Sequence, residues 1–145
     1  YDRRHTRRIS DFGGLKKSMP LYAGIFLFTS FASIGLPGLN GFVGEFMILM
    51  GSFPSFKILS SIAAFGVVLA AIYMLWAYQR IFNGQLNNDE NAVLTDLNSK
   101  ELVAVGPLLI LMLFIGVYPS FVESYIVNDV SIIYDAINSL SGGLE

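Results

Sequence analysis

One carboxylate lies well inside an apolar run of this chain. It is Glu45, in the stretch Ser33-Ile34-Gly35-Leu36-Pro37-Gly38-Leu39-Asn40-Gly41-Phe42-Val43-Gly44-Glu45-Phe46. The remaining Asp, Glu, Lys and Arg residues fall in polar segments, in the tail or at the ends of apolar runs. A charge placed in hydrocarbon is expensive, and it marks a proton or ion path or a buried ion pair. Carboxylates held between a dehydrated setting and a helix N-terminus suit proton relay near neutral pH. The surrounding residues point the same way. Pro37 lacks a backbone donor and its ring clashes with the preceding turn. Glycine weakens a helix interior, so Gly35, Pro37, Gly38 and Gly41 are the candidate helix-break residues. A break beside a charge is the pattern of a discontinuous membrane helix lining a polar cavity. The candidate lining is Thr29, Ser30, Ser33, Asn40 and Tyr73, although Ser and Thr often bond carbonyls of their own helix. The competing reading of Glu45 is a structural partner for a Lys or Arg on another helix.

Other chemistries find little support. There is no cysteine, which excludes disulfides and thiol chemistry. The single histidine, His5, sits in a basic segment and reads as solvated or facing phosphate. No metal-ligand cluster, phosphate-binding glycine loop or nucleophile–base pair is present. Six of the nine cations lie in residues 1–20: Arg3, Arg4, Arg7, Arg8, Lys16 and Lys17. Nucleic-acid binding is not expected of them, because the chain then enters an apolar run.

The elements that must position Glu45 follow from composition. Of 145 residues, 54% are hydrophobic and 14% charged, against about 25% charged in soluble domains. An all-α membrane protein is expected, with three transmembrane helices and a C-terminal amphipathic helix. Residues 1–20 read as a solvated basic loop. Residues 21–53 read as a discontinuous span with its break near 34–40, its halves near Leu21–Ser33 and Gly41–Phe53, and Asn40 as N-cap of the second. Residues 58–82 form the second span, with Trp76, Tyr78 and Arg80 as interfacial anchors. Residues 83–100 are a polar loop, where Asp96 or Ser99 would cap the third span, 101–122. In 123–145, Ile126, Val130, Ile133, Ile137 and Leu140 recur at spacings of four and three, while Asn128, Asp129, Asp135 and Asn138 fall largely elsewhere; Ser141-Gly142-Gly143 ends this helix.

Charge sets the expected orientation. Three crossings put residues 1–20 and 83–100 on one side, with eight cations when Arg80 and Lys100 are included. The other side has Lys57 against Glu123, Asp129, Asp135 and Glu145. The positive-inside rule places the first side in the cytoplasm and the acidic tail in the periplasm or outside the cell. The opening residues read as a loop leaving an upstream segment, so the chain is expected to be the C-terminal piece of a longer protein.

Several motifs carry a family resemblance. They are Tyr1-Asp2-Arg3-Arg4-His5-Thr6-Arg7, Asp11-Phe12-Gly13-Gly14-Leu15, and the run from Gly35 to Phe46. Arg80-Ile81-Phe82-Asn83-Gly84, Asp96-Leu97-Asn98-Ser99-Lys100-Glu101 and Gly116-Val117-Tyr118-Pro119 extend the resemblance to about residue 120. The chain resembles the subunit M (chain 4) family of proton-pumping NADH-quinone oxidoreductase, respiratory complex I. The resemblance implies a fourteen-helix fold with two inverted five-helix repeats, of which this chain holds the last three helices. It implies that Glu45 is the proton-relay glutamate of the broken twelfth helix, where the sister subunits L and N usually carry lysine. It also implies a cell (inner) membrane location, a non-redox translocase subunit that is not catalytic alone, and L-type and N-type subunits and the lipid bilayer as partners. Flavin, iron-sulfur clusters and quinone are expected on other subunits, with no cofactor in this chain. The alternatives are a subunit of a multi-protein sodium/proton antiporter and a structural membrane scaffold with Glu45 in a buried ion pair.

Overall fold

The computed structural model describes residues 3–86 and 88–141, without the side chains of residues 128, 138, 140 and 141. The expectations placed on Tyr1, Asp2, Asn87, Gly142, Gly143 and Glu145, and on the side chains of Asn128, Asn138, Leu140 and Ser141, lie outside the described residues. Among the described residues the regular structure is helical throughout. Short 3-10 turns at Ile9–Asp11 and Leu15–Lys17 precede α1 (Pro20–Ser33), α2 (Asn40–Ser52), α3 (Lys57–Phe82), α4 (Asp89–Ala92), α5 (Ser99–Val117) and α6 (Ser120–Ser141).

Among the described residues two helices are long and apolar enough to cross a membrane: α3 with 26 residues and α5 with 19. At about 1.5 Å per residue they reach roughly 39 and 29 Å, against a hydrocarbon core of about 30 Å. Both present large exposed apolar side chains along their length, among them Ile58, Ile62, Leu69, Val103 and Ile110. Helix α1 is apolar but has only 14 residues. Near the end of α3, the Arg80 guanidinium carbon lies 4.4 Å from the Trp76 ring centroid. Helix α5 runs through Pro107 without interruption.

The core joins the start of α1 to the end of α3. Leu15, Ala23, Tyr78 and Phe82 are buried together, with Phe12, Phe26, Leu27, Ile81 and Leu94 packed against them. The rings of Phe26, Tyr78 and Phe82 pack at centroid distances of 5.0–6.4 Å, with Tyr22 5.6 Å from Phe82. A second junction lies at the far end of α3, where the Ser52 and Ser60 hydroxyls are 2.9 Å apart across the α2–α3 turn.

The amino-terminal segment is not simply a solvated loop. Leu15 and Met19 are buried, and Gly14 N–H donates to the Asn83 carbonyl at 3.3 Å. Gly14 takes φ +65 there, and an added Cβ would sit 2.9 Å from the Gln85 and Leu86 backbone. Asn91 is 0% exposed. Its Oδ1 accepts from Arg4 Nε at 2.9 Å and its Nδ2 donates to the Asp11 carbonyl at 3.0 Å. Arg4 also pairs with Glu90. The cationic run hid this docking, because a charge-rich sequence gives no sign of partners 80 or more residues away.

Two caps differ from expectation. Helix α5 is capped by Asn98, whose Oδ1 accepts from Glu101 N–H at 2.9 Å while Glu101 Oε2 accepts from Asn98 N–H at 2.8 Å. This reciprocal box was present in the sequence as Asn98-x-x-Glu101. Asp96 caps α1 instead: its carboxylate accepts from Leu21 N–H at 2.7 Å and Tyr22 N–H at 3.1 Å. Arg3 joins the two caps, donating to both Glu101 oxygens at 2.8 and 2.7 Å and to the Asp96 carbonyl at 3.4 Å.

Burial works to raise the Asp96 pKa, but the Leu21, Leu97 and Tyr22 amides and the Arg3 charge outweigh it and hold the group below 3.8. A depressed carboxylate stabilises the fold above its unfolded value and loses that contribution as pH falls through its folded value. Asp96→Ala is therefore expected to cost about 1–2 kcal/mol at neutral pH. In thermal unfolding of the detergent-solubilised protein, the gap between wild type and variant should close as pH falls below the ordinary aspartate value of 3.8.

The end of α5 also falls earlier than the 101–122 boundary. The helix stops at Val117 and α6 starts at Ser120. Tyr118 takes φ −127, ψ 65, because Pro119 disfavours the helical region for the residue before it. Pro119 signals this exit in the sequence, while the apolar run carries on to Val122.

Candidate functional site

The interruption occupies residues 34–39, between α1 and α2. Its closure is local. Leu36 N–H donates to the Phe31 carbonyl at 3.0 Å and Gly35 N–H to the Ala32 carbonyl at 3.4 Å. This is the Schellman pattern, with the residue at the reversal in the left-handed region. That residue is Gly35, at φ +71. Pro37 follows, Gly38 takes φ +92, and Leu39 is extended at φ −116, ψ 157. Leu39 is only 5% exposed. It, rather than Asn40, is the N-cap residue of α2; Asn40 begins the helix and makes no capping bond.

Glu45 lies in the second turn of α2, half-buried. Its carboxylate rests against Gly35: a Cβ at position 35 would meet Oε2 and sit 3.3 Å from Cδ. Gly41 has a different reason to be glycine. Its face lies on the end of α1, where a Cβ would strike the Ala32 carbonyl oxygen and lie 3.1 Å from that carbonyl carbon. From a third side, Gly116 of α5 rests on the Gly38 carbonyl and the Leu39 Cα. The carboxylate is thus held against a backbone reversal packed on both sides by backbone.

The candidate lining residues differ in their placement. Asn40 Oδ1 is buried and has no hydrogen-bond partner among the described residues. Thr29 Oγ1 donates within α1 to the carbonyls of Ile25 and Phe26, each at 3.0 Å. Ser30 is buried and donates to the Phe26 carbonyl at 2.7 Å. Ser33 is exposed, and Tyr73 is 60% exposed on α3. The structure therefore brings Glu45, Gly35 and Gly41 together, with Asn40 beginning the same helix, while the Thr29 and Ser30 hydroxyls serve their own helix. Gly116 was missed as a site residue. Its sequence signal was a glycine shortly before Pro119, which reads as a helix exit.

Among the described residues no cluster of His, Asp and Glu could hold a metal ion. His5 is exposed, in the left-handed region at φ 53. A cavity of about 400 Å³ opens elsewhere, lined by Arg3, Tyr22, Phe26, Phe82 and Glu101 among others. It does not include Glu45, and it reflects the seam between the amino-terminal segment and α1 and α3.

The sequence model described as "NADH:quinone oxidoreductase/Mrp antiporter, TM" matches residues 1–73, half of the chain, taking in α1, the interruption and all of α2. The chain belongs to the NADH:quinone oxidoreductase/Mrp antiporter transmembrane family. In this family member the matched region includes Glu45 and the candidate break glycines. The chain is similar to NADH-quinone oxidoreductase subunit M of Rhodobacter capsulatus, at 44% identity over 126 residues, covering 87% of this chain and 25% of the relative. It is 40% identical over 119 residues to NADH-ubiquinone oxidoreductase chain 4 of Arabidopsis thaliana, covering 82% and 24%. Among solved structures it resembles a chain of "Respiratory complex I from Thermus thermophilus with bound NADH", with TM-score 0.75 and 34% identity, covering 83% of this chain and 25% of that one. The chain spans about a quarter of the length of the curated relatives it matches.

Proposed function

We propose that this chain is part of a proton-translocating membrane-arm subunit of NADH-quinone oxidoreductase, of the subunit M kind, with Glu45 as its proton relay. The observation that carries this reading is the Glu45 carboxylate seated against the Gly35 reversal, inside the region matched to the family. A carboxylate next to an interruption meets backbone polar groups and any water that satisfies them, as a proton path requires. Asn40, with a buried acceptor oxygen at the start of the same helix, adds a group that can receive a hydrogen bond from such a path. Thr29, Ser30, Ser33 and Tyr73 are secondary lining candidates.

In this reading α1 and α2 form one discontinuous span, α3 and α5 two further spans, and α6 an amphipathic segment. Residues 1–20 and 83–100 face the cytoplasm, and the tail faces the periplasm. The neighbours are the L-type and N-type subunits. Electron transfer, with flavin, iron-sulfur clusters and quinone, takes place on other subunits. This chain's residues contribute a change in proton affinity at Glu45, driven by charge changes along the membrane arm. The complex I names of the cited relatives favour this over the sodium/proton antiporter reading.

Glu45→Gln in the full-length complex tests the proposal. Gln keeps the shape and loses the titrating proton. The assembled variant is expected to lose most of its proton pumping, by a factor of about 10² at a general acid–base position, measured as a pH gradient in closed vesicles against NADH oxidation. Undiminished pumping by an assembled Glu45→Gln complex overturns the relay role. A scaffold role predicts instead that removing Glu45 together with a paired cation leaves pumping normal.

A further inference from the structure

We infer that Gly116 is a positioning residue for the Glu45 relay, through which α5 fixes the interruption between α1 and α2. The inference rests on the proton-relay reading of Glu45. The interruption has three close approaches, each at a glycine: Gly35 against the Glu45 carboxylate, and two of backbone on backbone, Gly41 against Ala32 and Gly116 against Gly38 and Leu39. The first two are internal to the α1–α2 segment. The third comes from α5, more than 70 residues along the chain, and touches the loop itself rather than either helix.

The loop has little freedom to yield at this contact. Gly38 sits at φ +92, a conformation that other residues rarely adopt, and Leu39 is buried. Leu39 N–H is already given to the Leu36 carbonyl at 3.1 Å, and its carbonyl accepts from Phe42 N–H at 3.2 Å in the first turn of α2. A displacement of Gly38 and Leu39 therefore moves the start of α2, which carries Glu45 one turn further on. Packed elements shift between discrete arrangements rather than deforming smoothly. Any movement of α5 is accordingly passed through backbone contact to the start of α2, and so to the helix turn that carries the Glu45 side chain. Gly106, on the same helix, has open space around its Cβ position and supplies an internal comparison.

The experiment is Gly116→Ala in the full-length assembled complex, with Gly106→Ala beside it. For Gly116→Ala we expect NADH oxidation to persist while protons moved per electron pair fall at least about two-fold, since small misplacements of an acting group cost up to about 10²-fold. The pH profile of pumping should shift as well, a change that a merely structural role for Gly116 does not produce. Gly106→Ala should match wild type in both. An unchanged pumping ratio and pH profile in Gly116→Ala, alongside a pumping-deficient Glu45→Gln, overturns this inference alone. Undiminished pumping in Glu45→Gln overturns the relay reading beneath it. Should Gly116→Ala fail to assemble, amide hydrogen exchange of the wild-type complex at rest and in turnover decides. Protection across residues 34–41 and 113–118 should change together, and the lack of a concerted change overturns the inference.

Discussion

Gly41→Ala is expected to destabilise the protein by about 3 kcal/mol, while Gly44→Ala, three residues along the same helix, is expected to be neutral or to stabilise it by up to about 1 kcal/mol. The two glycines share a helix and differ in what a methyl group would meet. At position 41 it would strike the Ala32 carbonyl oxygen, at the terminus of α1; at position 44 nothing lies within 4 Å. A backbone oxygen cannot rotate aside as a side-chain end can, so the start of α2 must shift away from α1. That shift carries Glu45 off Gly35. Gly41→Ala should therefore lower the thermal midpoint of the solubilised protein and, on the proposed relay reading, the proton pumping of the full-length complex in closed vesicles, whereas Gly44→Ala should keep both. Equal midpoints for the two variants would show that the close approach at Gly41 does not hold the halves together.

Phe82→Ala is expected to cost about 3–5 kcal/mol, the range for removing a large buried aromatic side chain. Phe82 is 1% exposed and lies at the centre of the cluster joining α1 to α3. Its ring centroid is 5.0 Å from those of Phe26 and Tyr78 and 5.6 Å from that of Tyr22. Truncation removes the shared partner of three rings, two on α1 and one on α3. A loss near the upper end of the range is expected because rings fixed on two helices collapse poorly into the space left. The readout is the thermal midpoint, compared with Tyr78→Phe, which keeps the ring and should stay close to wild type. A Phe82→Ala protein that unfolds at the wild-type temperature would place the α1–α3 junction elsewhere.

These variants show what kind of information the sequence held. The interruption was legible because Pro37 and the glycines around it break a local rule, and local rules can be read from neighbours in sequence. Glu45 stood out for a similar reason, as a carboxylate in an apolar run. Family membership was legible in the motif from Gly35 to Phe46. What could not be read were contacts across long separations. By sequence Asp96 or Ser99 caps the helix that follows, because such residues before a helix usually cap it; the Asp96 carboxylate caps α1 instead, about 75 residues back. Arg4 looked like one more solvated cation until Asn91 was brought to it by folding. Gly116 carried no sign that it would lie on Gly38. Pro119 marks the exit of α5 in the sequence, but the apolar run continues to Val122, so the stop at Val117 is not legible to the residue.

The reversal at Gly35 has a consequence for biogenesis. Its two closing hydrogen bonds run from Leu36 to Phe31 and from Gly35 to Ala32, all within six consecutive residues. Nothing distant is needed to make them, so the reversal can form as soon as those residues leave the ribosome and before any neighbouring helix arrives. On the proposed reading of α1 and α2 as one discontinuous span, the segment would enter the bilayer as two short rods already joined at an elbow. Later-arriving helices meet an elbow whose two closing hydrogen bonds are already made, and their task is to seat it.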